Sequence, residues 1–413
     1  MVGMLAAMST APLRTSPQAT AAPRDRGDAC PGSLRLHAAD DGALARVRVP
    51  GGVLDLRQAE ALATAAHRLG DGDLHLTSRG NVQLRGLGDG CGADLAALLD
   101  AAGLLPSAAH ERVRNVVASP LSGLDGRGLY DVRPWLTALD AALCASEAAR
   151  ELSGRFLFAL DDGRGDVAAL DADVTVRATA DGRAVLSLDG TDPALRVPAA
   201  DAPRAALLAA EAFAHCVRAS GARAWRVAEL ASEPGELLCE VRLRLAGEGI
   251  AYEELGRDGG ASAGGAEAGA KDTTAAEAEA EAEAGPKGAP AAGAGAEEAG
   301  GERTGATASR TAAAEAEAPA SPARSPEPPG PAPAPVPGPA LGIVGSALSV
   351  HAPLGRLTLP QWRELTRTAA ALGPGELRLT PWRGVVVPVP GADPARAAEA
   401  LDRLAATGLV TGP

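Results

Sequence analysis

The residues best placed to do chemistry in this sequence are arginines. Arg79 sits in Thr77-Ser78-Arg79-Gly80-Asn81, a turn-like break between two alternating runs, Leu74/Leu76 and Val82/Leu84. Alternation with period two is the pattern of half-buried strands. A strand that delivers an arginine beside a glycine can present a guanidinium to an anionic ligand; the same spacing also describes a surface hairpin whose arginine is solvated. Arg85 follows on the second run, Arg114 and Asn115 lie in the short strand-like segment Arg112–Pro120, and Arg155 precedes Phe156-Leu157-Phe158. No catalytic residue can be named from spacing alone. The five cysteines (30, 91, 144, 216 and 239) are scattered, the closest two being 23 apart (239 − 216), and the six histidines do not cluster. No metal site is assigned, and a reduced, cytoplasmic setting is expected.

The elements that must carry these arginines come as an internal repeat. Leu56–Thr77 aligns without a gap on Leu359–Thr380 at an offset of 303 (359 − 56), with ten of 22 positions identical. Such self-similarity is read before any other fold signal. In each copy Asp55 or Thr358 can cap a helix, with Gln58 or Gln361 three residues on to complete a capping box. The helix buries Leu56, Ala59, Leu62, Ala66 and Leu69, or Leu359, Trp362, Leu365, Ala369 and Leu372. Gly70 or Gly373 is expected to end it in the left-handed conformation. A strand follows, then a second helix over 94–102 or 394–406. Two such strand-helix-strand-helix halves with open sheets could complete one sheet between them. The repeat places Trp382-Arg383 at Ser78-Arg79 or one step beyond, so Arg383 is expected to face the same cleft as Arg79.

The chain has 413 residues and a net charge of −13. That charge argues against non-specific nucleic-acid binding, and no apolar run reaches membrane-spanning length. Residues 1–28 read as a disordered tail. The segment over 256–340 is Ala, Gly, Glu and Pro with almost nothing large to bury, and reads as a linker that lets the second repeat dock on the first. Two ordered half-domains are expected, at 29–106 and 341–413. The α+β domain between them, at 107–255, is expected to hold helices over 134–152 and 203–219. Its strands are expected at 154–160, 174–178, 184–188, 224–230 and 237–245. Arg46 and Arg48 share one face of a strand, read as an exposed sheet face. The four tryptophans read as core anchors.

Several segments, taken in order, are similar to the sirohaem-dependent nitrite and sulfite reductases. They are Leu76-Thr-Ser-Arg79-Gly-Asn-Val-Gln-Leu-Arg-Gly-Leu87, Arg114-Asn115-Val-Val-Ala-Ser-Pro120, and Arg155-Phe-Leu-Phe with its Asp-Asp-Gly turn. Within that superfamily the chain most resembles the precorrin-3B synthases of cobalamin biosynthesis. Asp28-Ala-Cys30-Pro-Gly32, Leu157-Phe-Ala-Leu-Asp-Asp-Gly-Arg-Gly-Asp166 and Leu379-Thr-Pro-Trp-Arg383 carry that likeness. It covers roughly 29–250 and 341–413.

The resemblance implies an α+β fold: two ferredoxin-like half-domains related by a pseudo-two-fold axis, with a nitrite/sulfite reductase-type domain between them. It also implies that Arg79 and Arg114 line a tetrapyrrole and substrate pocket, with Asn81 and Asn115 beside them in the same motifs. Where the reductases place two further polar or basic groups, this chain has Arg155 and Leu157. A small anion needs converging donors to offset its desolvation, so Leu157 speaks against sulfite or nitrite reduction. A carboxylate-rich precorrin would use arginines spread along its edge, and Arg79, Arg85, Arg114 and Arg155 suit that.

The family binds a 4Fe-4S cluster through two cysteine pairs after the second half-domain. None of the five cysteines here has that spacing, and ligation needs four thiolates. The expected function is therefore a precorrin-3B synthase-like oxidoreductase, hydroxylating precorrin-3A with dioxygen and incomplete without an iron-sulfur segment. A second polypeptide carrying that segment and an electron donor would be its partners. The alternatives are a sirohaem-dependent nitrite or sulfite reductase relative, and a non-catalytic tetrapyrrole-binding module.

Overall fold

The structure, a computed structural model, describes residues 30–189, 193–230, 234–256, 261–262 and 337–412. The expected tail and nearly all of the expected linker lie outside the described residues. The first half-domain contributes β1 (His37–Ala39), β2 (Gly42–Val47), β3 (Val53–Asp55), α1 (Leu56–Leu69), β4 (Asp73–Leu76), β5 (Val82–Leu87) and α2 (Gly92–Ala101). The middle domain contributes β6 (Val116–Ala118), α3 (Arg133–Ala145), β7 (Phe158–Asp161), β8 (Val174–Ala178), β9 (Arg183–Leu188), β10 (Ala194–Pro198), α4 (Ala202–Ser220), α5 (Pro234–Gly247), β11 (Glu253–Leu255) and β12 (Ala261–Ser262). The second half-domain contributes β13 (Gly342–Val344), β14 (Ala347–His351), β15 (Arg356–Thr358), α6 (Leu359–Leu372), β16 (Glu376–Leu379), β17 (Gly384–Pro388) and α7 (Pro394–Ala406).

The repeat folds as two sheets that exchange a strand, and not as one shared sheet. The first runs β1-β2-β5-β4-β15 and the second β13-β14-β17-β16-β3. β15 lies against β4 with Leu357 opposite Leu74, and β3 lies against β16 with Leu54 opposite Leu377. Each pair maps onto the other at the repeat offset. The exchange covers an edge that each sheet would otherwise leave open.

Capping boxes open both repeat helices: Gln58 N donates to Asp55 at 2.7 Å, and Thr358 N donates to the Gln361 carbonyl at 2.9 Å. Leu62, Ala66, Trp362, Leu365 and Ala369 are fully buried in one core shared by both halves, while Leu56, Leu69, Leu359 and Leu372 sit at its edge. Gly70 and Gly373 are not left-handed; φ is −121° and −133°. They are glycine for closeness: a Cβ would lie 2.6 Å from the Arg85 carbonyl at Gly70, and 2.0 Å from the Pro388 carbonyl at Gly373.

The Trp362 indole donates at 2.9 Å to the carbonyl of Ala59, its own counterpart 303 residues earlier, so α1 and α6 meet on the pseudo-two-fold axis. Trp362→Phe removes that hydrogen bond, while the Ala59 carbonyl keeps its partner within α1, and leaves a void where the larger indole is fully buried; it is expected to cost about 2–3 kcal/mol in chemical denaturation.

In the middle domain β6, β7 and β8 are parallel, and β8 to β12 continue antiparallel. α4 packs on β8 and β9, with α3 and α5 beside it. The strand expected over 237–245 is the helix α5. Leu237, Leu238, Val241 and Leu245 are buried at helical spacing, whereas Leu243, which completed the apparent alternation, is exposed. The strand expected over 224–230 is a single 3₁₀ turn, Val227–Glu229, and the helix expected to reach Leu152 ends at Ala145. Among the described residues no helix is long and apolar enough to cross a membrane.

Candidate functional site

Arg79 is held out by a tight loop between β4 and β5. Thr77 N donates to the Asn81 carbonyl at 2.9 Å, and Gly80 N to the Thr77 carbonyl at 3.2 Å. The Thr77 hydroxyl accepts from the amides of Asn81 and Arg79 at 3.1 and 3.3 Å. Asn81 then locks the loop to the protein: its carbonyl accepts from Val49 N at 2.9 Å, and its amide donates to Asn115 at 3.0 Å. Asn115 in turn donates to the Phe156 carbonyl at 3.0 Å. Both asparagines are buried with their polar atoms engaged. They position the loop and do not offer themselves to a ligand.

The Arg79 guanidinium lies over the junction with β7, where Nη1 donates to the Arg155 carbonyl at 3.1 Å. Among the described residues no carboxylate pairs with it, and its charged neighbours include two cations. Burial, then Arg226, then Arg48, pull its pKa down to about 10. Arg48 is itself buried, donating to the carbonyls of Arg112 and Gly154 at 3.2 and 2.9 Å and to Cys30 Sγ at 3.2 Å. Burial lowers its pKa too. Arg226 is anchored by Asp173 at 2.6 Å, and Asp173 also accepts from the amides of Leu157 and Val227 at 2.8 and 2.7 Å. Burial pushes the Asp173 carboxyl up despite these donors. Arg155 stands at the rim, 5.3 Å over the Trp225 ring and 3.7 Å from Glu229.

Arg79 thus has guanidinium groups for neighbours, the Asp173 carboxylate acting on it only at a distance, and among the described residues no carboxylate pairs with it; that balance makes the place a candidate for an anion. Two residues on from the carbonyl that Arg79 binds, Leu157 is buried with Val117, Ala159, Val167 and Ala172, and Trp382 packs against this cluster. Where a further cation was conceivable, Leu157 is part of an apolar core.

Not every expected ligand reaches this place. Arg85 pairs with Asp41 at 2.8 and 3.0 Å on the surface. Arg114 points to the opposite side of its segment from Asn115, as neighbours on an extended chain do. It is buried against α3, forked onto Asp140 at 2.7 and 2.8 Å with Leu104 O at 3.1 Å. There it lines a cavity of about 420 Å³ with Leu136, Asp140 and Cys144. Arg383 is exposed at φ +60°, its stem against Gly355. The gapless register makes Gly80, at φ +67°, its counterpart, so that Trp382 stands where the first copy has Arg79. The expectation that Arg383 mirrors Arg79 is therefore corrected by one residue.

Arg48 and Arg226 were not foreseen as site residues. Arg48 lies on the face taken as exposed, and Arg226 in a segment assigned to a strand; burial of Arg48 between two domains leaves no local signal.

The donor set does not fit an iron-sulfur cluster. No cysteine forms a disulfide; Cys30 precedes β1, Cys91 precedes α2, and Cys144, Cys216 and Cys239 lie on α3, α4 and α5. Among the described residues the one group of three potential metal ligands is Asp161, Asp162 and Asp166, within 4.8 Å of one another. These carboxylates are occupied by their own turn: Asp161 takes the amides of Gly163, Gly165 and Ala168 at 2.9, 2.8 and 3.0 Å, and Asp162 pairs with Arg164 at 2.7 Å. Ser119 donates to Asp166 at 2.6 Å, while burial pushes that carboxyl up to about 6.

The family model "Nitrite/Sulfite reductase ferredoxin-like half domain" matches residues 37–102 and 344–407, the two copies of the repeat. Both copies of the repeat are thus similar to that half-domain, and the fold is the paired half-domain arrangement. It is 38% identical over 181 residues to precorrin-3B synthase from a Sinorhizobium species, spanning 43% of this chain and 38% of that protein. It is 35% identical over 127 residues to a ferredoxin–nitrite reductase from Synechococcus elongatus, spanning 29% of this chain and 25% of that enzyme. The fold is similar to that of the Mycobacterium tuberculosis NirA protein, with a TM-score of 0.58 at 16% identity, over 90% of this chain and 57% of that one. The matched stretches span less than two thirds of each relative's length.

Proposed function

We propose that this chain is the tetrapyrrole-binding part of a precorrin-3B synthase-like oxidoreductase acting on precorrin-3A in the cytoplasm. The observation that carries the reading is Arg79: charged, desolvated, free of any carboxylate partner among the described residues, neighboured by Arg48 and Arg226, and hydrogen-bonded to the Arg155 backbone carbonyl. Substrate acetates and propionates supply the missing negative charge as charge-assisted hydrogen bonds. The half-buried Trp382, packed on the apolar cluster of Leu157, supplies an apolar surface of the kind that the face of a macrocycle needs. The chain's share is thus binding and orientation. An iron-sulfur cluster, which its cysteines do not fit, belongs in this reading to a second polypeptide that also meets the electron donor.

The likeness to ferredoxin–nitrite reductase favours a second reading, in which the arginines take a small anion. One titration separates the two. Purified anaerobically, the chain is expected to shift the visible spectrum of uroporphyrin III, a polycarboxylate tetrapyrrole, saturably and without displacement by millimolar nitrite or sulfite. Displacement would favour the reductase reading, and no shift with uroporphyrin or sirohaem would overturn both.

A further inference from the structure

A cavity of about 320 Å³ opens between α4 and α5, and its walls carry side chains of the kinds that ligate metals. His215 and Cys216 come from α4, and Glu236, Cys239 and Glu240 from α5. Helical spacing puts them there. α5 buries the stripe Leu237, Leu238, Val241 and Leu245, which leaves Glu236, Cys239 and Glu240 as a neighbouring stripe at i, i+3 and i+4. On α4, Cys216 continues the buried row of Ala209, Ala212 and Phe213, with His215 at its edge. Packing of the two helices brings the stripes to one cavity.

Four of these five side chains are available to a ligand. Cys216 is buried and fixed in the core of the middle domain, whereas His215, Glu236 and Cys239 are exposed. Among the described residues none of those three side chains makes a hydrogen bond or an ion pair. Glu240 is different: it accepts from Arg244 Nε at 2.9 Å, so its charge is already answered. Burial, then Glu240, then Glu236, push the Cys216 thiol up. A field that opposes the bare thiolate favours a cation in its place, and a coordinated metal displaces the thiol proton. Disulfide formation needs the thiolate without that cation. The same carboxylates therefore work against a Cys216–Cys239 bridge and for a bound dication.

We propose that Cys216, Cys239, His215 and Glu236 hold one zinc ion, which staples α5 to α4. Two thiolates, an imidazole and a carboxylate are the donors that zinc takes in four-coordinate sites, while thiolates discriminate against magnesium and calcium. No three of these donor atoms lie within 4.8 Å of one another in the structure. Zinc holds sulfur at about 2.3 Å and nitrogen at about 2.0 Å, so the site assembles by rotation of the three exposed side chains toward the fixed Cys216. It shares no residue with the surroundings of Arg79, and the inference stands apart from the tetrapyrrole reading.

For the test, the full chain is stripped of metal with a chelator under reducing conditions. It is then titrated with zinc against a chromophoric chelator, and separately with cobalt(II), whose bonds to thiolate give an intense charge-transfer band. The expected result is one zinc per chain, a strong thiolate–cobalt band, and a melting temperature raised by zinc. Cys239→Ser, at an exposed position, and Cys216→Ala should each weaken zinc binding by about a hundredfold or more and diminish the cobalt band. Cys91→Ser, before α2, should change neither. Should Cys216→Ala fail to fold, Cys239→Ser and Glu236→Gln decide the matter, since both positions are exposed. Zinc binding that survives Cys239→Ser, a cobalt spectrum without the thiolate band, several weakly held ions per chain (an adventitious ion only), or no binding would each overturn the inference.

Discussion

Arg79→Ala is expected to weaken tetrapyrrole binding by roughly ten- to a hundredfold, the range of one hydrogen-bonded charge pair lost from a partly desolvated site. The same substitution should not lower the melting temperature. Arg79 is a base whose folded pKa, about 10, is below the ordinary arginine value. It therefore holds its proton less tightly folded than unfolded, and its charged form opposes folding throughout the range below about pH 10; the opposition fades only above that. Alanine removes this opposition along with one hydrogen bond to the Arg155 carbonyl. Binding lost with stability kept is the signature of a residue held for a ligand, since binding groups are often retained at a cost to the fold. Isothermal titration with uroporphyrin III and a thermal melt on the same preparation read both numbers. A melt lowered by more than about 3 °C would assign Arg79 a structural role instead.

The contrast between what was legible in the sequence and what was not follows from the range of the interactions. The repeat was legible because Leu74, Leu76, Gly72 and their counterparts at 377, 379 and 375 satisfy local demands of strand and turn. Both capping boxes are likewise local. The strand exchange was not legible: β3 and β15 carry the same signal whichever sheet they join, and their choice is made by partners about 300 residues away. α5 was misread because Leu237 to Leu245 alternates as well as it recurs at helical spacing, and only the exposure of Leu243 decides. At the site, Arg79 was marked by its glycine-flanked turn. Arg48 and Arg226 act on it from other segments, and no spacing rule connects them. Arg383 shows the limit of reading by motif: Thr-Ser-Arg-Gly and Thr-Pro-Trp-Arg align by their threonines, and the backbone follows that alignment, leaving the arginine in the glycine's place.

Asp140→Ala is expected to have the largest effect on stability of any single change at the interface of the first half-domain and α3. Arg114, 5% exposed, has its Nε and Nη2 on the Asp140 carboxylate and its Nη1 on Leu104 O. Removing the carboxylate leaves a buried guanidinium with one carbonyl to satisfy it, a loss of about 3–5 kcal/mol. For a domain of this size that corresponds to a melting point lower by roughly 10 °C. Arg114→Ala should cost less, because the stranded Asp140 is the more exposed partner, with about a quarter of its side chain open to water. Replacing both by apolar residues, Arg114→Met with Asp140→Leu, should recover much of the loss, since the pair mainly satisfies its own burial. The uroporphyrin titration then separates the two arginines that the family resemblance treats alike. If Arg114 lay on the ligand, the apolar double variant would fold but bind at least tenfold more weakly. Its side chain instead turns away from Asn115 and the Arg79 loop, so the double variant should bind as the native chain does.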